Sequence, residues 1–184
     1  PGIGIDNDDW QKSKDYLMAF GGLLILDADA LNRISESKLG ANFFLERKFK
    51  TWITPHSKEF GRLFPNIKSK TNVGLARDAA KEFNISILLK GANSIVADNK
   101  KVWQLFGTDS QTARAGLGDL LSGFIAGSSA IDLTFCRNIT TDFFAKYVLL
   151  HSFAASKCKS GSNASAIGDE LTKLMRNIKT RQIS

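Results

Sequence analysis

Short apolar strands alternate with amphipathic helical stretches along this chain, and that alternation limits the fold more than any other feature. Residues 9–20 place Trp10, Leu17 and Phe20 at helical spacing. Residues 22–26 are an apolar run that reads as a buried strand and ends at Asp27-Ala28-Asp29. Further strands are predicted at 51–53 and 85–89, with helices at 41–47 and 73–83. Thr54-Pro55 is predicted to open another helix, with Thr54 as N-cap and Pro55 at the first helical position. Residues 94–97 and 102–106 flank Asp98-Asn99-Lys100-Lys101 as a hairpin. A helix entered through glycine follows at 117–130, and helices at 143–157 and 164–175 complete the chain. Strand and helix in this order, with short connections, imply an α/β fold whose mostly parallel sheet is flanked by helices. No repeat or linker interrupts the 184 residues, so they read as a single domain, 1–184.

In such a sheet, ligands bind beyond the carboxyl ends of the strands. Asp27 and Asp29, His56, and Lys90-Gly91 each follow a predicted strand, which argues for a site at that edge. The net charge of +7 fits nucleic acid or small anions. The basic residues are spread along the chain, with no basic run interleaved with aromatics, so small anions are favoured over nucleic acid. No apolar run approaches the roughly 20 residues that span a bilayer, and no secretory signal is visible. Cys136 and Cys158 lack metal-ligand spacing, and His56 and His151 are the only histidines, which argues against zinc and for a reducing cytoplasm.

The strongest local motif is Ala115-Gly116-Leu117-Gly118-Asp119-Leu120-Leu121-Ser122-Gly123. Glycines at a helix start expose backbone N–H groups that, with the helix dipole, favour an anion. Asp119 lies in the first turn, where it could take a proton from an attacking hydroxyl or simply complement the dipole. Leu89-Lys90-Gly91-Ala92-Asn93-Ser94 is either a turn that admits a nucleotide, with Lys90 offering charge to phosphate, or a plain hairpin turn with a solvated lysine. In Thr54-Pro55-His56-Ser57-Lys58-Glu59-Phe60, His56 faces a ligand or caps and packs a helix start, and Glu59 reads as a solvated charge. Asp27 could hold a metal-bound phosphate, and Asp29 reads as a helix cap. His151 reads as a core or surface histidine within its helix rather than a ligand.

In order, Pro-Gly-x-Gly, Asp-Ala-Asp-x-Leu-Asn, Thr-Pro-His-x-x-Glu-Phe, Leu-Lys-Gly-Ala and Gly-x-Gly-Asp-x-Leu-x-Gly resemble the ADP/ATP-dependent NAD(P)H-hydrate dehydratases of the ribokinase-like superfamily. The resemblance runs from Pro1 to about Asp169. It implies a three-layer α/β/α ribokinase-like fold and repair of hydrated NADH and NADPH at the expense of ADP or ATP with Mg²⁺. It also implies a homo-oligomer, and an epimerase fused to the chain or separate from it. By the same resemblance Asp119 is the catalytic base, and Gly4, His56 and Asp119 contact the hydrated dinucleotide. Lys90, Gly91, Ala92, Asn93, Ser94, Gly116 and Gly118 would hold the adenine nucleotide, with no metal site built from protein groups. Asp27 and Asn32 match motif positions of open role.

The chain departs from the family pattern at Leu117, where Ser or Thr is frequent, at Ala113-Arg114 in place of Ala-Thr, and over residues 107–112, which lack the usual Asn-Pro. It begins at Pro1-Gly2-Ile3-Gly4, without an initiator Met and at a motif that lies well inside the family's domain. The expectation is therefore the C-terminal portion of a larger domain. Two rival readings are a ribokinase-like kinase of a small alcohol or vitamin precursor, and a non-catalytic nucleotide- or nucleic-acid-binding module. Thr54-Pro55-His56 speaks against the kinase.

Overall fold

The computed structural model describes residues 7–106, 116–136, 138–159 and 161–181. Backbone contacts divide the chain into two compact units, Pro1–Gln104 and Leu105–Ser184.

The first unit contains α1 (Asn7–Ala19), β1 (Leu24–Leu26), α2 (Asp29–Glu36), α3 (Asn42–Glu46), β2 (Thr51–Ile53), α4 (Ser57–Leu63), α5 (Asn72–Phe83), β3 (Ser86–Leu89), β4 (Ser94–Ala97) and β5, which begins at Val102 and ends at Leu105. The strands lie in sequence order in one mixed sheet. β1, β2 and β3 run parallel, with Leu24 opposite Thr51 and Trp52 opposite Ser86, and β4 returns antiparallel with Leu89 opposite Ile95. Every strand predicted from the sequence is present, as is the hairpin turn. The Asp98 carboxylate fixes that turn by accepting from Lys100 N and Lys101 N, both at 2.7 Å.

Strand side chains alternate between two faces. Leu24, Leu26, Ile53, Ile87, Leu89, Ile95 and Ala97 join one core cluster with Leu31 and Ile34 of α2, Phe60 and Leu63 of α4, and Ala76, Ala79, Ala80 and Phe83 of α5. Trp52, Leu88 and Val96, of the opposite parity, are fully buried as well. A sheet buried on both faces is what continuous apolar strands require.

Local chemistry sets the helix ends. Thr71 caps α5 by accepting from Gly74 N at 3.1 Å, and the helix closes at Asn84 in the left-handed region, φ 50°. The start of α4 corrects the sequence reading. Its N-cap is His56, not Thr54, and Pro55 lies outside the helix. Thr54 is instead tied back to β1, its amide donating to Leu26 O at 3.1 Å. Asp29 is likewise not a cap: it sits inside the first turn of α2, and Ala28 holds the cap position.

Arg47 organises the start of the sheet. The buried guanidinium donates to Leu17 O at 2.7 Å, Phe20 O at 2.6 Å and Gly22 O at 2.7 Å, and its Nε donates to Thr51 Oγ1 at 3.0 Å. The orphan carbonyls at the end of α1 and the entry to β1 are thus satisfied by one side chain. Burial lowers the Arg47 pKa, and a guanidinium remains charged regardless.

The second unit is helical: α6 (Leu117–Phe135), α7 (Thr141–Lys157) and α8 (Ala164–Arg181). α6 is entered through Gly116 in the left-handed region, φ 81°, as the glycine motif requires, and runs five residues past its predicted end. Ala154 and Ala155 of α7 pack with Ile167 and Leu171 of α8 and with Leu117, Leu120 and Phe124 of α6. Tyr147 of α7 donates to Asp132 Oδ2 of α6 at 2.6 Å, and burial together with that carboxylate raises the phenol pKa. Among the described residues no helix is long and apolar enough to cross a membrane.

Candidate functional site

In the first unit, the carboxyl ends of β1, β2 and β3 bring Asp27, His56 and Lys90 to one edge. The ladder extends beyond the strands through a parallel bridge between His56 and Lys90, with Lys90 N donating to Pro55 O at 2.9 Å. Lys90 Nζ then reaches across to Asp27 Oδ1 at 2.8 Å. Asp27 is buried, with 4% of its side chain exposed, whereas Lys90 keeps 26%. A buried carboxylate requires such a partner, because desolvation otherwise opposes its charge. The same Oδ1 accepts from Ala28 N at 2.9 Å.

Ala28 itself has φ 51° and ψ −122°, a backbone region that a Cβ disfavours. Strain of this kind costs on the order of 1–3 kcal/mol and persists where surrounding bonds hold it. Here the Asp27 carboxylate on one side and the α2 amides of Leu31 and Asn32, which donate to Ala28 O, hold it in place.

His56 caps α4. Its Nδ1 accepts from Lys58 N at 3.1 Å and from Glu59 N at 3.2 Å, and Glu59 Oε2 accepts from His56 N at 2.8 Å. This is a reciprocal capping box with histidine in the place that serine or threonine usually takes. Glu59 is therefore buried, contrary to the solvated charge expected from sequence. The imidazole keeps 48% of its surface exposed, and its Nε2 lies 3.4 Å from Glu59 Oε1.

Gly91, Ala92 and Asn93 form an exposed bend between β3 and β4, whereas Ser94 is buried as the first residue of β4. Asn32 lies on α2, where its Oδ1 accepts from Arg62 Nη2 at 2.6 Å beside a polar cleft of about 470 Å³ lined also by Asp29, Arg33 and Glu36. Gly4 lies outside the described residues.

In the second unit, Gly116, Gly118 and Asp119 occupy the cap and first turn of α6, as the motif predicts. Asp119 is exposed and stands at one end of a groove of about 850 Å³ between α6 and α8. Small residues at helical spacing, Gly123, Gly127 and Ser128 on α6 and Gly168 on α8, open the groove, and Asp169, Thr172 and Arg176 add polar groups. Sequence reasoning missed Arg176 and Thr172 because a helical face carrying a few polar residues has no motif. It missed Glu59 because Thr54-Pro55 is the stronger start signal, although His-x-x-Glu repeats the spacing of a capping box. His151 is a core residue: it is buried, burial pushes its pKa down to about 4, and its Nε2 finds no partner among the described residues.

A mixed sheet with a polar edge at the carboxyl ends of its parallel strands, and helices that include one entered through glycine, are features of an α/β fold of ribokinase type. Solved structures agree at the level of fold. A ribokinase-like superfamily protein from Enterococcus faecalis aligns with a TM-score of 0.79 at 24% identity, over 96% of this chain and 61% of its own. The ADP/ATP-dependent NAD(P)H-hydrate dehydratase from Bacillus subtilis, co-crystallized with ATP/Mg²⁺, aligns with a TM-score of 0.70 at 21% identity, over 93% and 60%.

The chain belongs to the NAD(P)H-hydrate dehydratase family, whose sequence model matches residues 1–179. The bifunctional NAD(P)H-hydrate repair enzyme Nnr of Gloeobacter violaceus is 41% identical over 105 residues, 56% of this chain and 20% of that protein. The ADP-dependent (S)-NAD(P)H-hydrate dehydratase of Nitrosopumilus maritimus is 36% identical over 78 residues, 41% of this chain and 27% of that protein. This chain spans between a fifth and about a third of the length of the curated relatives it matches. The family match favours neither the small-alcohol kinase nor the non-catalytic module.

Proposed function

We propose that this chain contributes the nucleotide-dependent half of NAD(P)H-hydrate repair, returning hydrated NADH and NADPH to NADH and NADPH at the expense of ADP or ATP. The observation that carries this reading is the family match over residues 1–179, which includes every motif described above. The two compact units belong, in this reading, to the C-terminal portion of one ribokinase-like domain.

The nucleotide's terminal phosphoryl group passes to the hydroxyl of the hydrated nicotinamide ring. Asp119 takes the hydroxyl proton as the O–P bond forms, and the shortened nucleotide leaves. Phosphate then departs from the ring with loss of a neighbouring proton, which restores the double bond. The amides around Gly116 and Gly118, at the positive end of the α6 dipole, stabilise the transferring phosphoryl group. Lys90, Gly91, Ala92, Asn93 and Ser94 receive the adenine nucleotide, with the Lys90 ammonium held by Asp27. Gly4, His56 and Asp119 contact the hydrated dinucleotide.

Among the described residues no group of three or more His, Cys, Asp or Glu side chains could hold a metal ion. In this reading Mg²⁺ comes in on the nucleotide's own phosphates, with one or two carboxylates completing its shell. A cytoplasmic setting, a homo-oligomer and an epimerase partner, fused or separate, accompany this reading.

The test is to supply the complete protein with hydrated NADH, Mg²⁺ and either ATP or ADP, and to follow NADH absorbance. Recovery of NADH with one phosphate released per NADH supports the assignment. Phosphorylation of another alcohol without NADH recovery would replace it with the kinase reading.

A further inference from the structure

The cap of α4 fixes which nitrogen of His56 carries the proton. Nδ1 accepts from two backbone amides, Lys58 N at 3.1 Å and Glu59 N at 3.2 Å. Both are obligatory donors, so Nδ1 must present a lone pair. A neutral imidazole with a lone pair on Nδ1 carries its hydrogen on Nε2. A second observation points the same way from the other side of the ring. Nε2 lies 3.4 Å from Glu59 Oε1, an acceptor that is itself buried and held by His56 N through its other oxygen. Amides on one nitrogen and a carboxylate near the other leave a flipped ring or the opposite tautomer without compatible partners. Because 48% of the His56 side chain is exposed, the Nε2–H remains reachable from the sheet edge.

We propose that His56 is locked as the Nε2–H tautomer by the α4 cap and reads its ligand as a hydrogen-bond donor to a neutral acceptor oxygen. On the hydrated nicotinamide ring such an oxygen is the carboxamide carbonyl or the added hydroxyl. His56 is then a substrate-binding residue and not the base, because the nitrogen that could accept a proton is occupied by the helix. The part concerning the hydrated ring rests on the dehydratase reading; the tautomer does not.

Two substitutions separate the two nitrogens. The side-chain oxygen of His56→Asn reaches the Nδ1 position and keeps the cap but cannot reach where Nε2 stood. The amide nitrogen of His56→Gln reaches the Nε2 position and keeps the donor but loses the cap. Expected for His56→Asn are near-native thermal stability, about a tenfold rise in KM for hydrated NADH, the value of one lost hydrogen bond, and unchanged KM for the nucleotide. Expected for His56→Gln is the reverse: lower stability, with KM for hydrated NADH within about threefold of the native value.

A merely structural histidine predicts native kinetics for His56→Asn, and a catalytic base predicts loss of kcat in both variants; either result overturns the donor role. Long-range ¹H–¹⁵N correlation spectra decide the tautomer independently of activity. With only two histidines in the chain, the His56 signals are those absent from His56→Asn. The expected pattern is a protonated Nε2 and an unprotonated Nδ1, and a protonated Nδ1 would overturn the proposal. If the native protein restores no NADH, the dehydratase reading fails, and the spectra alone decide the tautomer.

Discussion

Replacing Arg47 by methionine keeps most of the aliphatic stem and removes every donor, which isolates the guanidinium's contribution to the first unit. Four backbone carbonyls lose this donor, those of Leu17, Met18, Phe20 and Gly22, the Met18 contact being the longest at 3.4 Å, together with Thr51 Oγ1. Hydrogen bonds from a charged donor contribute about 1.5–3 kcal/mol each where both groups are out of water. Arg47 is only 5% exposed, but Phe20 is exposed and Gly22 half-buried, so water takes over part of what is released. The expected loss is about 3 kcal/mol, well below the full value of the separate bonds. Trp10, Trp52 and Trp103 all lie in the first unit, so tryptophan fluorescence in urea reports that unit. With a slope of about 1.5 kcal/mol per M, the midpoint falls by about 2 M. Arg47→Lys offers a point charge in place of a fork and recovers at most half of the loss. A midpoint within about 0.5 M of native for Arg47→Met would refute the clamp.

Two further outcomes follow from buried charge. Asp27→Ala and Lys90→Met each destabilise the first unit, and the double variant loses less than the two combined. The expected coupling is about 1–2 kcal/mol, discounted because a quarter of Lys90 faces water; strict additivity in the same urea assay would contradict the ion pair. His151 is held neutral, with its pKa pushed down to about 4 by burial. The unfolded chain takes up a proton near pH 6.5 and the folded chain only near 4, so stability falls as pH drops through that window, by up to about 3 kcal/mol, and this group causes no further change below it. Melts of native protein and His151→Leu, followed by circular dichroism at pH 7 and 4.5, should show a steeper acid loss in the native protein. Parallel losses would mean that the histidine is charged or exposed.

Strand positions were legible because apolar runs bounded by turn residues say little else, and the left-handed Gly116 was legible because glycine there has a steric reason. The α4 start was not. Thr54 and Pro55 are better cap and first-turn residues than His56 in isolation, but the parallel ladder runs past them: Thr54 N bonds Leu26 O and Pro55 O accepts from Lys90 N, so the backbone is still extended there. Those tertiary bonds left the cap to His56 and drew Glu59 inward. The Asp27–Lys90 pair spans 63 positions, and no local pattern announces a contact of that range. Arg47 carried no sequence signal of its own, since its partners are main-chain carbonyls that any sequence provides. The α6–α8 groove escaped notice because it is made by what is missing from the helix faces, at Gly123, Gly127 and Gly168.

Asp119 is the proposed base, and it lies in the first turn of a helix entered through glycine. Asp119→Asn preserves its shape and removes its ability to take a proton. Comparing the complete native protein with this variant, in NADH recovered from hydrated NADH with ATP or ADP and in nucleotide binding, tests the account most directly. The expected result is a fall in turnover of about 10²–10⁴-fold with nucleotide affinity close to native. NADH recovery by Asp119→Asn at the native rate would contradict the assignment of Asp119 as the base.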